Sequence, residues 1–277
     1  MWARLGRAET TFMPKRKIGR KSLGKKPDLL RTIATGKEGF TYWTGCTYRL
    51  KYPEIGRSAE RVFKKGKLKF NKLEDEGCCG AFLFLAGYKE KGRENAEKVL
   101  KQLRRIETRA LVTGCAGCYR AFSKLYAEHL GRPPPFQTFH TSQLIEEMIA
   151  NHRVNLGILK MRITYHDPCE LGKHCEVYEE PRNVLKAIPG VELIETPLNR
   201  SEAICCGAGG GAWALYTDVC MESSHEKLTG EILPLKVDTL VTTCPNCYVN
   251  FLYNMQRHEM PLKIYDLSQL VDAALRE

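Results

Sequence analysis

Residues 205–211 have the sequence Cys-Cys-Gly-Ala-Gly-Gly-Gly, and residues 78–80 have the same beginning, Cys-Cys-Gly. An isolated cysteine precedes each pair and a C-x-x-C motif follows it. The first interval is 32 residues in one half and 36 in the other, and the second is 36 and 38. The agreement predicts an internal duplication with five cysteines in each half. The two quintets are Cys46, Cys78, Cys79, Cys115 and Cys118, and Cys169, Cys205, Cys206, Cys244 and Cys247.

Five thiolates per half predict a polynuclear metal centre. Clustered thiolates select zinc, copper(I) or iron–sulfur centres, but a structural zinc takes four ligands and would leave one cysteine idle. The side chains of adjacent cysteines point in different directions on an extended backbone. Such a pair suits a cluster in which the two thiolates bind different irons. Gly80 and Gly207 lack a Cβ and permit close approach of the backbone to such a cluster. We therefore expect iron–sulfur clusters rather than two structural zincs, with Gly80, Gly207, Gly209 and Gly210 as cofactor-binding residues.

Composition argues against a framework of disulfides. The first 38 residues contain no apolar segment of the kind that directs secretion, and 277 residues are enough to form a core without covalent links. Twelve cysteines in such a chain indicate a reducing compartment, which predicts a cytoplasmic protein. No apolar run approaches the roughly 18 residues of a membrane span.

The net charge of +11 is concentrated at the N-terminus. Residues 1–38 contain eleven Lys and Arg against three acidic residues, which is +8 of the total. Such a basic arm is expected to be mobile in isolation and to suit an acidic partner subunit or the anionic inner face of a membrane, or else to act only as a solubilising tail. Nucleic acid is not the expected partner, because the arm lacks interleaved aromatic residues. Translation could start at Met1 or Met13.

Strand-like and helix-like segments alternate in both halves. Residues 40–46 and 162–169 are rich in aromatic and β-branched residues and end at the first cysteine of each quintet, as strands that feed ligand loops. Residues 94–103 have a helical apolar face, and residues 109–115 and 238–244 are strands that lead into C-x-x-C. Ser142 and Ser268 are predicted helix N-caps. This alternation predicts an α/β fold with parallel sheets covered by helices.

These motifs resemble the cysteine-rich CCG domain family, within it the B and D subunits of heterodisulfide reductases. The resemblance extends from Phe40 to the C-terminus, on Cys78-Cys79-Gly80, residues 165–172 (Tyr-His-Asp-Pro-Cys-Glu-Leu-Gly), residues 205–211 and Cys244-Pro245-Asn246-Cys247. It implies two tandem Rossmann-like CCG domains, placed at 39–155 and 156–277 after the arm 1–38. It also implies two [4Fe-4S] clusters of the noncubane type, one for each quintet.

The resemblance implies a redox subunit that reduces a disulfide or heterodisulfide with electrons from partner subunits. A ferredoxin-like segment, usual in D-type subunits, does not precede Cys46, so a separate iron–sulfur or flavin subunit is expected to supply the electrons. The alternative is a subunit without chemistry of its own, which relays electrons in a flavin dehydrogenase complex of the glycolate, lactate, glycerol-3-phosphate or succinate type.

Several other residues have two interpretations. His166 is a candidate general acid, or a histidine hydrogen-bonded to the backbone that shapes the loop before Cys169. Residues 207–212 match a dinucleotide fingerprint, but they adjoin a cysteine pair and fit a cluster loop better.

Cys175 and Cys220, which belong to neither quintet, are predicted to be ordinary packed or surface thiols rather than ligands. Lys173 and His174 are candidates for binding an anionic substrate, and Tyr119 and Tyr248 for packing over a cluster.

Overall fold

Each half of the chain forms a four-stranded parallel sheet in the computed structural model, which describes residues 29–34 and 39–276. In both sheets the first strand of the half lies between the second and the third, and the fourth strand lies beside the third at the edge. The matching orders confirm the α/β class and the duplication that the cysteine spacing predicts. The strands are β1 (Phe40–Trp43), β2 (Phe70–Asn71), β3 (Ala110–Thr113), β4 (Gln137–His140), β5 (Met161–Tyr165), β6 (Val191–Leu193), β7 (Thr239–Thr242) and β8 (Lys263–Asp266).

The central strands are short and apolar because helices cover both of their faces. Every residue of β1, β3 and β7 is buried, and so are the last three residues of β5. Such strands are continuous runs of aromatic and β-branched residues rather than alternating ones. The registers correspond as well, since Tyr42 pairs with Val112 in the first sheet and Tyr165 with Val241 in the second.

Helices connect the strands in both halves. The predicted helix at 94–103 lies inside the helix Lys89–Arg105, and one turn of π-helix follows each of the helices Ala116–Arg120 and Thr217–Lys227. The helices of the first half are α1 (Leu29–Ala34), α2 (Cys46–Lys51), α3 (Pro53–Lys65), α4 (Ala81–Leu85), α5 (Lys89–Arg105), α6 (Ala116–Arg120), α7 (Tyr126–Leu130) and α8 (Thr141–Ala150). Those of the second half are α9 (Glu179–Lys186), α10 (Ala212–Leu215), α11 (Thr217–Lys227), α12 (Pro245–Arg257) and α13 (Leu267–Ala274).

One hydrophobic core joins the two halves. Helices α3 and α8 of the first half pack against α13 and α9 of the second, and their buried side chains belong to one cluster with those of β1 and β5. Arg61 of α3 forms an ion pair with Asp272 of α13 at the edge of this interface. The halves are therefore held in a fixed relative position by apolar burial, which is the dominant favourable contribution to folding.

The strand order places the ligand loops next to each other. In each sheet the second strand of the half lies on one side of the first strand, and the third and fourth strands lie on its other side. The strand order therefore reverses between the first and third strands, which makes this point a topological switch point. Loops at the carboxyl ends of such strands diverge and leave a crevice that binds ligands. The loops and first helical turns after β1 and β3 carry Cys46, Cys115 and Cys118, and those after β5 and β7 carry Cys169, Cys244 and Cys247.

Two details differ from the sequence predictions. Ser142 and Ser268 are not N-caps: the caps are the preceding strand residues His140 and Asp266, whose side chains accept the N–H of those serines. Gln143 and Gln269 complete both capping boxes by accepting the N–H of the cap residue. Strand and helix thus meet without a connecting loop, which leaves the cap at the end of the strand.

Helix α1 lies within the range 1–38 predicted to be a basic arm. The N–H groups of Leu29 and Leu30 donate to the Glu147 carboxylate at 3.1 Å each, and Leu29, Leu30 and Ile33 are buried in the shared core. These six residues are therefore a packed helix rather than a mobile arm. Residues 1–28 and 35–38, with both possible start methionines, lie outside the described residues. The domain boundaries 1–38, 39–155 and 156–277 remain predictions.

Among the helices of the described residues, none combines the length and the apolar character that crossing a bilayer requires.

Candidate metal centres

The isolated cysteine of each quintet lies close to the cysteine pair of its own half. Sγ of Cys46 is 3.9 Å from Sγ of Cys78, and Sγ of Cys169 is 3.9 Å from Sγ of Cys205. Gly45, with φ +86°, lets the loop of Cys46 also lie close to the C-x-x-C motif of the first half, since a Cβ there would lie 3.3 Å from Cβ of Cys115. A residue with a side chain is strained in this conformation. Glycine before Cys46 therefore lets the two ligand loops meet.

Both C-x-x-C motifs lie at the beginning of a helix. Cys115 is the N-cap of α6, and its Sγ accepts the N–H of Cys118 at 3.4 Å. Cys244 is the N-cap of α12, which has Pro245 at its first turn. Free N–H groups and the helix dipole at an N-terminus stabilise negative charge and so favour thiolates. In the second half, Sγ of Cys206 and Cys247 are 3.0 Å apart.

The glycine after each cysteine pair turns the chain back toward the sulfur. Gly80 and Gly207 have φ +76° and +86°, and each donates its N–H to the first cysteine of its pair at 3.4 Å. A Cβ on Gly80 would meet Nδ2 of Asn95 at 2.6 Å. Both predicted glycines thus have the conformation, and donate the hydrogen bond, that a cluster loop requires.

The backbone of each cysteine pair is held by a side-chain amide. Asn95 Nδ2 donates to the carbonyl of Cys78 at 3.0 Å, and Asn250 Nδ2 donates to that of Cys206 at 2.6 Å. Tyr126 adds a 2.8 Å bond from its hydroxyl to the carbonyl of Cys79. These three residues were not among the sequence predictions, because their polar side chains lie on helices far along the chain from the cysteine pairs.

In both halves a buried carboxylate links the loop that presents the first cysteine of the quintet to the segment that precedes the cysteine pair. In the first half the carboxylate belongs to that segment, and in the second half it belongs to the loop. In the first half Glu76 accepts the N–H groups of Thr44 and Gly45 at 2.8 Å each. In the second half Asp167, within the loop, accepts the N–H of Arg200 at 2.8 Å and two bonds of 2.7 Å from the fully buried Arg182. The loops that present Cys46 and Cys169 are therefore rigidly positioned.

Both quintets open into one cavity of about 320 Å³ between the halves. Nine of the ten predicted ligands line it, and Cys205, the exposed member of its pair, does not. Gly209 and Gly210 line it with Gly211, and their role in binding a cofactor stays a prediction. Its remaining walls are largely apolar, with Phe82 and Leu85 from the first half and Trp213 and Ala214 from the second. All twelve cysteines lie in the described ranges, and each is a free thiol.

Neighbouring thiols stabilise a thiolate inside each quintet. Hydrogen bonds from Cys118 and Cys78 lower the pKa of Cys79 to about 6, against the opposing effect of burial. Hydrogen bonds from Cys169 and Cys206 likewise lower the pKa of Cys205. The same network of hydrogen bonds raises the pKa of other thiols in each quintet, among them Cys118 through its hydrogen bond to Cys115 and Cys206 through its hydrogen bond to Cys205. Because thiolates rather than thiols bind metals, a bound metal would have to displace these protons.

His166 lies directly after β5 and faces the second quintet. It is 2% exposed, and one ring nitrogen, Sγ of Cys206 and Sγ of Cys247 all lie within 4.8 Å of one another. The alternative of a ring hydrogen-bonded to the backbone is wrong: only its main-chain N–H is bonded, to the carbonyl of Val241 at 2.8 Å, and neither ring nitrogen has a partner among the described residues. Burial, with a contribution from Lys227, lowers the pKa of His166 to about 3. The role of general acid stays a prediction, and a neutral ring does not favour it.

The other candidate residues lie outside the cavity wall. Tyr119 packs edge-on against His140, and Tyr248 against Tyr52. Tyr248 also belongs to the buried cluster that contains Cys206, Cys244 and Cys247, and the prediction that both tyrosines pack over a metal cluster stays a prediction. His174 lies 4.0 Å from Glu170, and neither it nor Lys173 lines the cavity.

The two cysteines outside the quintets do not line the cavity either. Sγ of Cys175 lies 3.9 Å from Ser123 Oγ, and Cys220 is buried away from the cavity, as expected for surplus thiols.

The profile of the cysteine-rich domain family, CCG, matches residues 40–123 and 163–252. The chain therefore belongs to this family and contains two copies of its domain, as the motifs predict.

Similar proteins include several components of redox enzymes. The D subunit of a dihydromethanophenazine:CoB–CoM heterodisulfide reductase from Methanosarcina acetivorans is 32% identical over 86% of this chain. The B subunit of a fumarate reductase (CoM/CoB) from Methanothermobacter marburgensis is 27% identical over 84% of it. An EtfAB:quinone oxidoreductase from Syntrophomonas wolfei is 26% identical over 87%. The chain spans 59%, 46% and 35% of the lengths of these relatives, respectively.

A crystal structure of a hypothetical protein from Helicobacter pylori has a similar fold. The TM-score is 0.54 at 9% identity, over 87% of this chain and 50% of the other. At this identity the likeness concerns the fold alone.

Proposed function

We propose that this chain is an iron–sulfur redox subunit that reduces a disulfide, with one [4Fe-4S] cluster of the noncubane type held by each quintet. The observation that carries the proposal is the single cavity that nine of the ten cysteines line. A disulfide placed there would lie within reach of both metal centres. The similarity to the D subunit of a heterodisulfide reductase supports the same reaction class.

The donor set fits iron–sulfur clusters. Each quintet supplies five soft sulfur donors, one more than a closed tetrahedral zinc site takes. N–H groups of Gly80 and Gly207 already donate to sulfur, and hydrogen bonds to sulfur are one of the ways in which a protein sets the reduction potential of a cluster. The first centre would be held by Cys46, Cys78, Cys79, Cys115 and Cys118, and the second by Cys169, Cys205, Cys206, Cys244 and Cys247.

When bound, such clusters supply single electrons and iron sites with affinity for sulfur. Cleavage of a disulfide, R–S–S–R′, breaks the S–S bond, consumes two electrons and two protons, and releases the two thiols RSH and R′SH. We place the source of the electrons in a partner subunit of the iron–sulfur or flavin class, in line with the relatives that are subunits of redox enzymes. Helix α1, the part of the predicted basic arm that the structure describes, packs in the core that the two halves share. Contact of the basic arm with an acidic partner subunit or a membrane surface stays a proposal.

The side chains of the cavity bind and shield the substrate. Phe82, Leu85 and Trp213 present apolar surface to it, which favours the organic substituents of a disulfide and excludes water. Glu170 is the acidic residue of the wall, and Arg120 donates to its carboxylate at 2.9 and 3.1 Å. This pair joins α6 of the first half to the Cys169 loop of the second, so it fixes the distance between the two centres.

A relay without substrate chemistry is the second candidate function. The observation that favours it is the similarity to an EtfAB:quinone oxidoreductase, whose name refers to a quinone and not to a disulfide. In that case the cavity would hold the two clusters alone, and electrons would pass from a flavin protein through the chain to an acceptor.

Electron paramagnetic resonance of the oxidised, anaerobically prepared protein separates the two functions. For disulfide reduction we expect a thiol to produce a new paramagnetic signal, because a cluster iron is open to substrate sulfur. A relay is indicated if thiols leave the spectrum unchanged while a reduced flavin partner still reduces the clusters. The same titration on Cys79→Ser and Cys206→Ser assigns the thiol-binding centre to one half.

A further inference from the structure

The imidazole of His166 is buried without a hydrogen bond. It is 2% exposed, and neither Nδ1 nor Nε2 has a partner in the described part of the chain. Leaving such a polar group buried and unpaired is unfavourable, because it loses its hydrogen bonds to water without replacement. Orphaned side chains of this kind are rare in native proteins, and each calls for an explanation such as a bound ion.

The surroundings of the ring indicate what satisfies it. One ring nitrogen lies within 4.8 Å of Sγ of both Cys206 and Cys247, and all three side chains are buried. Phe251 packs edge-on against the ring, with centroids 4.9 Å apart and planes at 82°. This packing fixes the plane of the imidazole relative to the two sulfurs.

The first half has a tryptophan at the equivalent place. Tyr42 and Tyr165 have the same register partners in the two sheets, so Trp43 and His166, the next residues, correspond. Trp43 packs edge-on against Phe122, with centroids 5.1 Å apart and planes at 76°, as His166 does against Phe251. The indole N–H is also buried and unpartnered among the described residues. An indole nitrogen can only donate its N–H, whereas an imidazole also offers a lone pair to a metal.

We propose that a ring nitrogen of His166 contacts the metal centre of the second quintet directly, so that the two centres of this chain are not equivalent. The contact is ligation of iron by the lone pair or donation of the N–H to a sulfur of the cluster. Histidine ligands and hydrogen bonds to sulfur both raise the reduction potential of iron–sulfur centres. The proposal rests on the proposed function, since it takes for granted that the second quintet holds a cluster.

Pulsed electron paramagnetic resonance of the cluster-loaded protein tests the contact without an activity assay. The Cys79→Ser variant is used to remove the first centre, and the protein is prepared with natural or ¹⁵N-labelled histidine. We expect a nitrogen coupling to the second centre that changes with the label. A strong coupling identifies a ligand and a weak one an N–H donor, and either supports the proposal. A second centre that is present without any histidine coupling overturns it.

Variants at this position extend the test. His166→Trp reproduces the arrangement of the first half and His166→Phe removes the nitrogen, and both are expected to abolish the coupling and lower the reduction potential of the second centre. His258→Gln, an exposed histidine at the end of α12, should leave both unchanged. The labelled protein with intact His166 decides the question even if both variants fail to fold. If the second quintet holds no iron, the proposed function fails together with this inference, whereas a cluster without nitrogen coupling overturns the inference alone.

Discussion

The hydroxyl of Tyr48 donates a 2.7 Å hydrogen bond to Oδ2 of Asp266, and both residues are buried. Tyr48 belongs to α2, the helix that begins at Cys46, and Asp266 caps α13 of the other half. The bond therefore connects the first cysteine loop to the second domain, next to the core that the two halves share. It is one of the polar contacts that hold the two quintets across a common cavity.

Removal of this hydroxyl should destabilise the protein. A hydrogen bond to a charged group contributes about 1.5–3 kcal/mol, so Tyr48→Phe is expected to lower the free energy of unfolding by about that amount. Urea denaturation of the anaerobically prepared protein measures the change. Tyr88→Phe, at an exposed tyrosine, serves as the control and should have no effect. Equal midpoints for both variants would show that the Tyr48 bond contributes nothing.

Asp266 should make stability depend on pH. Burial raises the pKa of its carboxyl to about 6, partly offset by the hydrogen bond from Tyr48. The folded protein thus binds a proton more readily than the unfolded chain, and the resulting stabilisation, complete below the ordinary pKa, is lost as pH rises through about 6. Between pH 5 and 7 the loss is about 1 kcal/mol.

The Asp266→Asn variant isolates this contribution. Asparagine is neutral and remains a good N-cap, so the stability of the variant relative to the native protein should increase by about 1 kcal/mol from pH 5 to 7. Unfolding is measured at both values for both proteins. If the two stabilities change in parallel with pH, Asp266 does not titrate in this range.

The buried carboxylates near the cysteine loops should act on one metal centre each. Glu76→Gln replaces an acceptor of two N–H bonds by an amide with a single acceptor oxygen, and Asp167→Asn weakens the paired bonds from Arg182. Each loses a charge-assisted interaction worth about 1.5–3 kcal/mol within its own half.

We therefore expect Glu76→Gln to lower cluster content in the first half and Asp167→Asn to lower it in the second. Iron analysis combined with the two spectral signatures measures this, and each variant is the matched control of the other. Loss of both centres in either variant would mean that the halves do not assemble their metal sites independently.

Two glycines of the cavity loop should differ in their tolerance of alanine. Gly211 has φ +90°, and a Cβ there would meet the ring of Phe82 at 2.0 Å, whereas a Cβ on Gly209 would meet nothing within 4 Å. Gly211→Ala is expected to cost more than about 1 kcal/mol from backbone strain alone and to displace Phe82. Gly209→Ala should stay within about 0.5 kcal/mol of the native protein. Comparable unfolding midpoints for the two variants would contradict the close contact between the halves.

The repeated cysteine spacing was sufficient to predict the duplication, and the alternation of strands and helices was sufficient to predict the parallel α/β fold, whereas the ligand sets stay a prediction. In a parallel α/β sheet, ligands lie at the carboxyl ends of the central strands. The cysteines therefore indicated where these strands end, which placed them at 40–46 and 109–115 and at the corresponding segments of the second half. The packing of α1 could not, because a basic segment gives no sign that Leu29, Leu30 and Ile33 will enter the core. The carboxylates that hold the cysteine loops could not be predicted either, because their contacts also depend on tertiary packing.

Glu76 and Asp167 both accept backbone N–H groups and so hold a cysteine loop in place. They lie at non-equivalent positions of the two halves, so an alignment of the halves does not reveal either of them. Phe82 was missed as a cavity residue because its contact with Gly211 forms only when the halves associate. His166 was noticed next to Cys169, but its orientation toward Cys206 and Cys247 depends on the pairing of β5 with β7. Interactions between distant segments are set by tertiary packing, which spacing in a single sequence does not encode.

Iron and acid-labile sulfide in the anaerobically prepared chain test the central claim most directly. Two [4Fe-4S] clusters predict about eight iron and eight sulfide per chain, falling to about four of each in Cys206→Ser and unchanged in Cys220→Ser. Colourless protein with zinc in place of iron, or an iron content that Cys206→Ser leaves intact, would contradict the assignment of one cluster to each quintet.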